Sequence, residues 1–401
     1  MSPDRISLAL VVRQLGHYHA ARLAAARSRF GRLTTIAGTD EGPFAGFLSA
    51  DPNAVRLYPD RRRYLRDVAS GALARRLAAA LDAAEPDVVA VTGWASPESL
   101  AALAYARRRG LPTVMLSESM ADDALRHPLR EAAKRRILAH VDAALVGGPP
   151  HAAYLHDLGL GPRRIHLGYD AVDNAHFAAG ADAARARPGA RAALGLPPRY
   201  LLASGRFVAK KNFPTLVHAF ARAAGRDGPD LVILGDGPER AAIEAAARAA
   251  GVESRVHLPG FEEYAALPAL YGLAEAFVHP ATTEQWGLVV NEAMAAAVPV
   301  IVSNRAGVAR SVISEGGVMV DPTEASLAEA ITYLLAMPAA TQRARGLAAR
   351  AAIAPWGVER FADGLAGAVE TAVTRRRRQA PLVLDRALFG VLGRRIIAHV
   401  G

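Results

Sequence analysis

Two carboxylates, Glu284 and Glu292, are separated by seven residues in the stretch PATTEQWGLVVNEAMAAAVPVIVSN, which runs from Pro280 to Asn304. The stretch opens with a polar loop, Thr282-Thr283-Glu284-Gln285-Trp286. Gly287 follows, then an apolar helical run, Leu288 to Ala297, and a buried-strand run, Val298 to Val302. Glu284 falls in the loop before the helix, and Glu292 lies more than a turn inside it at about 1.5 Å rise per residue. At the helix start the amides of Gly287, Leu288 and Val289 have no helical acceptor, and an anion is favoured there. One short element therefore offers an acid for hydroxyls, an amide nest for phosphate, and a second acid farther in. That chemistry suits a ligand carrying both hydroxyls and phosphate.

The same stretch resembles the nucleotide-sugar site of the retaining family-4 glycosyltransferases. Their mark is a Glu-x7-Glu pair in a segment like E-x-F/W-G-L-V-x-x-E-A-M-A that ends in P-V-I/V, and here it reads EQWGLVVNEAMAAAVPVIV. The family usually has Gly two residues before the Pro-Val, where this chain has Ala297. Two carboxylates at that spacing alone also fit an ordinary helix, so the whole segment carries the resemblance. A second motif lies upstream. The run Leu201 to Ser204 ends in Gly205-Arg206-Phe207-Val208-Ala209-Lys210-Lys211-Asn212, which resembles the family's G-R-x-x-x-x-K-G/N loop. That loop puts Arg and Lys on the donor diphosphate, and Arg206 and Lys211 are the matching positions. Lys210 reads as their solvent-facing neighbour. A leaving diphosphate develops charge as its bond to sugar breaks, and two cations there can stabilise it without a metal.

Composition narrows the alternatives. A chain of 401 residues is too long for one ordinary core and predicts two domains. No apolar run reaches the roughly 18 residues of a spanning helix, and MSPDRISLALVV lacks a signal-peptide pattern. Cysteine is absent, which excludes disulfides, thiol catalysis and thiolate metal sites and points to the cytosol. Between 371 and 401 seven arginines face only Asp385, so this stretch holds +6 of the net +10. Charge placed that way argues against nucleic acid as a partner. It points to a basic tail, 375–401, that meets an anionic surface at the inner face of a membrane. Leu384, Ala387, Leu388, Val391 and Leu392 recur there at helical spacing, with Arg386, Arg394 and Arg395 beside them. They read either as an amphipathic anchor or as a helix packed on the first domain.

Along the chain, strand-length apolar runs alternate with helical stretches, the pattern of βαβ units. The first run, Ile6 to Val12, ends in Arg13-Gln14-Leu15-Gly16-His17-Tyr18-His19. In open α/β sheets this turn lies at the ligand crevice. Family members usually carry Gly-Gly here, near the donor phosphates; this chain offers Gly16, with His17 and His19 as acceptor-side candidates. The strand Pro112 to Leu116 opens into Ser117-Glu118-Ser119. The family's equivalent loop presents a His to the reaction centre. Ser117 stands nearest that position, on the acceptor side or as a backbone cap, and Glu118 beside it is expected to touch donor sugar or acceptor. Ile165 to Phe177 resembles the segment that closes the family's first domain, with Asp173 and Phe177 matching. Ala178 to Pro198 reads as linker plus a short helix. Beyond the central stretch, Asn304 to Ser311 and Val318 to Asp321 are expected to complete the second sheet.

The resemblance implies an α/β chain of two doubly wound, Rossmann-like domains facing across a cleft, the GT-B arrangement. Residues 1–185 form the acceptor-side domain, 195–365 the nucleotide-sugar domain, and 366–401 a helical segment returning to the first. It implies retaining transfer of a sugar from a nucleoside diphosphate donor, UDP or GDP, to a hydroxyl of a glycan, lipid-linked or small acceptor, as in polysaccharide biosynthesis. Arg206, Lys211 and the amides near Gly287 and Leu288 would hold the diphosphate, Glu284 the sugar and Glu292 the ribose. No cofactor and no metal are expected, and Asp-x-Asp is absent. An epimerase or phosphorylase of the same architecture and a non-enzymatic nucleotide-binding scaffold are the other readings. A phosphorylase would need a pyridoxal-phosphate lysine, for which no lysine of the second domain has the setting. The altered Ser117-Glu118 loop keeps the scaffold open.

Overall fold

A computed structural model of the chain describes residues 2–39, 54–313 and 316–375. The apolar and arginine positions of the tail from 376 onward lie outside the described residues. The fold divides into two compact units. The first runs to Ala171 and resumes at Val358; the second is Val172–Gly357.

The first unit is built on a seven-stranded parallel sheet: β1 (Ser7–Val12), β2 (Arg32–Thr39), β3 (Val55–Tyr58), β4 (Val88–Thr92), β5 (Thr113–Ser117), β6 (Ala143–Val146) and β7 (Ile165–Leu167). Its order is β3-β2-β1-β4-β5-β6-β7. The second unit has six: β8 (Tyr200–Ser204), β9 (Asp230–Leu234), β10 (Val256–Gly260), β11 (Ala276–His279), β12 (Val300–Ser303) and β13 (Gly317–Val320). Their order is β10-β9-β8-β11-β12-β13, again parallel. Helices cover both faces of such sheets, so the strands read as continuous apolar runs rather than alternating ones. In the first unit separate apolar clusters form on the two sides of the sheet. Strand order reverses between β1 and β4 in one unit and between β8 and β11 in the other. At such a reversal neighbouring loops diverge and open a crevice at the carboxyl ends of the strands.

Three segments differ from the sequence reading, each for a physical reason. The stretch Ala178 to Pro198, expected as linker plus a short helix, begins inside a longer helix, Asn174–Ala186, that belongs to the second unit. Asp173 accepts from the His176 amide at 3.0 Å to start it. Its small residues are contact surface: a Cβ on Gly180 would meet Pro268 at 2.5 Å, and one on Gly272 would meet Ala181 at 2.6 Å. The first unit therefore ends at Ala171 rather than near 185. Asn304 to Ser311 is not a strand. The chain turns at Asn304–Gly307, with Ser303 Oγ accepting from the Arg305 amide at 3.1 Å, and then forms the short helix Ala309–Val312. The return to the first unit begins at Val358, with the helix Val358–Thr374. Phe361, Leu365, Ala368, Val369 and Ala372 of that helix join the core that covers one face of the first sheet.

The helix after Gly287 ends at Ala295, before the position read from the apolar run. Ala297 carries φ 55°, a left-handed conformation that a Cβ disfavours by about 1–2 kcal/mol. Glycine there relieves the strain and gives back part of the gain as unfolded-chain entropy. Ala297→Gly is expected to stabilise the second unit by about 0.5–1 kcal/mol in chemical denaturation, and Ala297→Val to destabilise it. A glycine variant no more stable than the parent would show that neighbouring contacts, not backbone strain, set this position.

Candidate functional site

The site is assembled where the second sheet reverses. After β8 the chain passes Gly205 and Arg206, winds through the turn Ala209–Lys211, and reaches Asn212. Three loops crowd together here. A Cβ on Gly235, whose φ is 121°, would meet the Gly205 carbonyl oxygen at 2.0 Å, and one on Gly237 would meet the Phe207 carbonyl oxygen at 2.5 Å. The Phe207 amide also donates to the Asp236 carbonyl at 2.8 Å. Arg206 is partly buried between these contacts. Asn212 takes φ 61°, which asparagine tolerates, and its Nδ2 donates to the carbonyls of Pro280 (3.1 Å) and Pro322 (3.0 Å). The Thr282 amide donates to the Lys210 carbonyl at 2.9 Å. The loops after β8 and β11 are thereby stitched side by side, and Lys211 Nζ forms an ion pair with Glu284 Oε2.

Glu284 is 9% exposed. Its Oε2 also lies 3.4 Å from His279 Nε2, and its Oε1 lies 4.0 Å from Lys210 Nζ. Burial alone would push this carboxyl up. The Lys211 charge, the His279 ring and Lys210 outweigh that and hold it well below the usual carboxylate range. His279 is 1% exposed, and burial pushes its imidazole down against the pull of Glu284, so the ring is neutral at pH 7. The backbone of the Glu284 loop is fixed by the turn after β12. Glu284 donates to Arg305 at 3.4 Å, Gly307 donates back to Glu284 at 3.3 Å, and Val308 donates to Trp286 at 3.1 Å. Trp286 itself is buried, donates from Nε1 to Asn291 at 2.9 Å, and packs on Trp356 with ring centroids 5.1 Å apart.

Gly287, at φ 102°, turns the chain into the helix Leu288–Ala295. The first bond of that helix runs from the Val290 amide to the Gly287 carbonyl at 2.8 Å. The amides of Leu288 and Val289 have no backbone acceptor among the described residues, so the positive end of the helix opens here. Glu292, 1% exposed, accepts from the Tyr271 hydroxyl at 2.6 Å. Lys211 and Glu284 are therefore brought together, with the helix start beside them, while Glu292 has a separate partner.

The remaining sequence candidates lie in the first unit, at the ends of β1 and β5. Gly16 starts the helix His17–Arg27, and its amide donates to His19 Nδ1 at 3.1 Å. That amide is engaged in this structure, and His19 acts as the helix cap. Burial, reinforced by Arg22, drives the His19 imidazole down to about 3. His17 is partly buried. Ser117 is buried, and its Oγ accepts from the Ser119 amide at 3.3 Å, the capping contact that the sequence also allowed. Glu118 is partly buried near Tyr169, whose phenol is pushed up by burial first and by the Glu118 charge second. His279 and Tyr271 were not singled out from sequence. The usable signal for His279 was a polar residue ending an apolar strand at a reversal of strand order. Among the described residues no group of three or more His, Asp or Glu side chains could hold a metal ion.

Two family models match the chain in succession. One, described as a glycosyl transferase 4-like domain, matches residues 16–169. The other, glycosyl transferases group 1, matches residues 190–351, which contain both loops of the site. The chain belongs to the group 1 glycosyltransferases. A GDP-mannose-dependent alpha-mannosyltransferase of Mycolicibacterium smegmatis is 33% identical over 182 residues, 44% of this chain and 44% of the relative. An alpha-D-kanosaminyltransferase of Streptomyces kanamyceticus is 30% identical over 215 residues, 52% and 54% of the two chains. The chain thus spans about half the length of the curated relatives it matches. Among solved structures, sucrose-phosphate synthase from Thermosynechococcus elongatus superposes with TM-score 0.70 at 22% identity, covering 90% of this chain and 97% of that one. Anabaena HepE in complex with UDP and glucose gives 0.71 at 17% identity, covering 92% and 100%. At such identities these structures establish a shared fold, two doubly wound α/β domains of the GT-B type. No described helix is long and apolar enough to cross a membrane.

The Lys211–Glu284 pair yields a pH-dependent prediction. A carboxyl depressed in the folded state stabilises above its unfolded value, about 4.3, and that stabilisation fades as pH falls through the lower folded value. Lys211→Met leaves the buried carboxylate short of a cation, which is expected to cost about 3 kcal/mol at pH 7. The deficit should shrink toward pH 4 as Glu284 takes up a proton. Urea unfolding of parent and variant at both pH values measures this, and a deficit independent of pH would contradict the pairing.

Proposed function

We propose that this chain transfers a sugar from a nucleoside diphosphate donor to a hydroxyl of an acceptor, with retention of anomeric configuration and without a metal ion. The observation that carries the reading is the buried Lys211–Glu284 pair beside the open helix start at Leu288, at the point where strand order reverses. A donor would exchange that pair for two sets of contacts. Its diphosphate takes Lys211, Arg206 and the free amides; its sugar hydroxyls take Glu284. Glu292 would accept from the ribose hydroxyls, with the Tyr271 hydroxyl holding its other side.

In the transfer, the bond between the anomeric carbon and the diphosphate oxygen breaks, and its electron pair leaves with the phosphate. The acceptor oxygen bonds to the same face of that carbon. The acceptor proton passes to the departing phosphate oxygen. The cations and amides stabilise the charge that develops there. No side chain is required as a covalent nucleophile. The relatives support the donor class: one is named for GDP-mannose, and one neighbour holds UDP and glucose. A UDP- or GDP-linked sugar is accordingly the proposed donor.

Steady-state kinetics test the assignment. Glu292→Ala is expected to raise the donor KM about tenfold with kcat little changed, because ribose contacts are equal in ground and transition states. Arg206→Ala is expected to lower kcat about a hundredfold. If Arg206→Ala left both constants unchanged, the phosphate role would be wrong.

A further inference from the structure

His279 has no task in the transfer just described, yet it sits against the charge that the transfer depends on. It ends β11, pairs with Val302 of β12 through the sheet, and is almost fully buried. Its Nε2 lies 3.4 Å from Glu284 Oε2 and has no hydrogen bond of normal geometry among the described residues. A Cβ placed on Gly287 would sit 3.5 Å from that nitrogen and 3.5 Å from Glu284 Cγ. The ring nitrogen thus borders the space between the Glu284 carboxylate and the helix start, which glycine leaves open.

The donor reading creates a problem that this placement solves. In this structure Lys211 neutralises Glu284. When a diphosphate draws Lys211 away, a buried carboxylate is left short of its partner, which is costly unless another donor replaces it. A lysine on a flexible four-carbon stem can move; a histidine set in a strand stays. The ring is neutral, because burial and the two lysines oppose its protonation, so an Nε2–H can donate to Glu284 Oε2 without adding a charge to the phosphate site.

We propose that His279 is a positioning residue that takes over the Glu284 carboxylate when phosphate draws Lys211 away. It keeps that carboxylate ionised and aimed at the donor sugar. The inference rests on the donor reading and adds to it a residue that acts only through Glu284.

A four-way comparison tests it: parent, His279→Leu, Glu284→Gln and the double variant. Each is titrated calorimetrically with free UDP, GDP and ADP, which lack the sugar that Glu284 would touch. For the nucleotide that the parent binds, His279→Leu is expected to weaken affinity about tenfold, the worth of one hydrogen bond to a charged group. In the Glu284→Gln background, where no charge needs compensating, the same change should alter affinity less than about twofold. His279→Gln, which returns an N–H near the Nε2 position, should recover most of the loss. Thermal unfolding establishes that each variant is folded. An equal loss in both backgrounds would assign His279 a purely structural role, and no loss in either would remove it from the site. A parent that binds none of the three nucleotides would instead overturn the donor reading, and this proposal with it.

Discussion

A partly buried lysine paired with a buried glutamate, 73 residues away in sequence, is the interaction on which the rest of the second unit depends. The glutamate charge is not tolerable alone at that depth. A buried ion without its partner costs several kcal/mol even after relaxation, about 3–5 kcal/mol when one member of such a pair is removed. The fold meets this constraint through backbone. The glycines at 205, 235 and 237 allow the loops to touch, and Asn212 bridges the loops after β8 and β11 with its side-chain amide. The turn after β12 fixes the Glu284 backbone. Each feature serves one end, bringing Lys211 and Glu284 within contact at the reversal of strand order.

An ion pair of this kind is also a store of binding groups. A ligand with phosphate at one end and hydroxyls at the other offers each partner a replacement, so binding exchanges contacts rather than exposing charge. The open helix start at Leu288 adds a fixed positive pole that needs no exchange. His279, held in the strand, lies 3.4 Å from the same Glu284 carboxylate. The first unit follows the same architecture with different chemistry. At its β1 end the Gly16 amide donates to His19, and at its β5 end the Glu118 charge reaches the Tyr169 phenol.

Much of this was legible in the sequence. Parallel strands covered on both faces must be apolar throughout, so the runs before Arg13, Thr92, Ser117, Gly205 and Pro280 stood out. The spacing of Glu284 and Glu292, and of Arg206 and Lys211, drew attention to the loops after β8 and β11, which the structure joins through the Lys211–Glu284 pair. Other features were hidden for identifiable reasons. The helix Asn174–Ala186 is rich in alanine and glycine, and small residues that mediate close helix contact look like linker when the partner is unknown. The turn at Asn304–Gly307 follows an apolar strand without a strong breaker. Ala297 is left-handed where alanine gives no hint of it. The pairing of Lys211 with Glu284 depends on β8 lying next to β11, a register that local pattern does not contain. A lone histidine at the end of an apolar run reads as core until its neighbour across the loop is known.

We propose that this crevice holds a nucleoside diphosphate through cations and backbone amides, without a metal ion. Calorimetric titration of the parent chain with UDP, GDP, ADP and dTDP, without added metal and again with EDTA, tests it most directly. Micromolar binding of one of these nucleotides, unchanged by EDTA, is the expected result, and it would also name the base of the donor. Binding of none, or binding that EDTA abolishes, would contradict it.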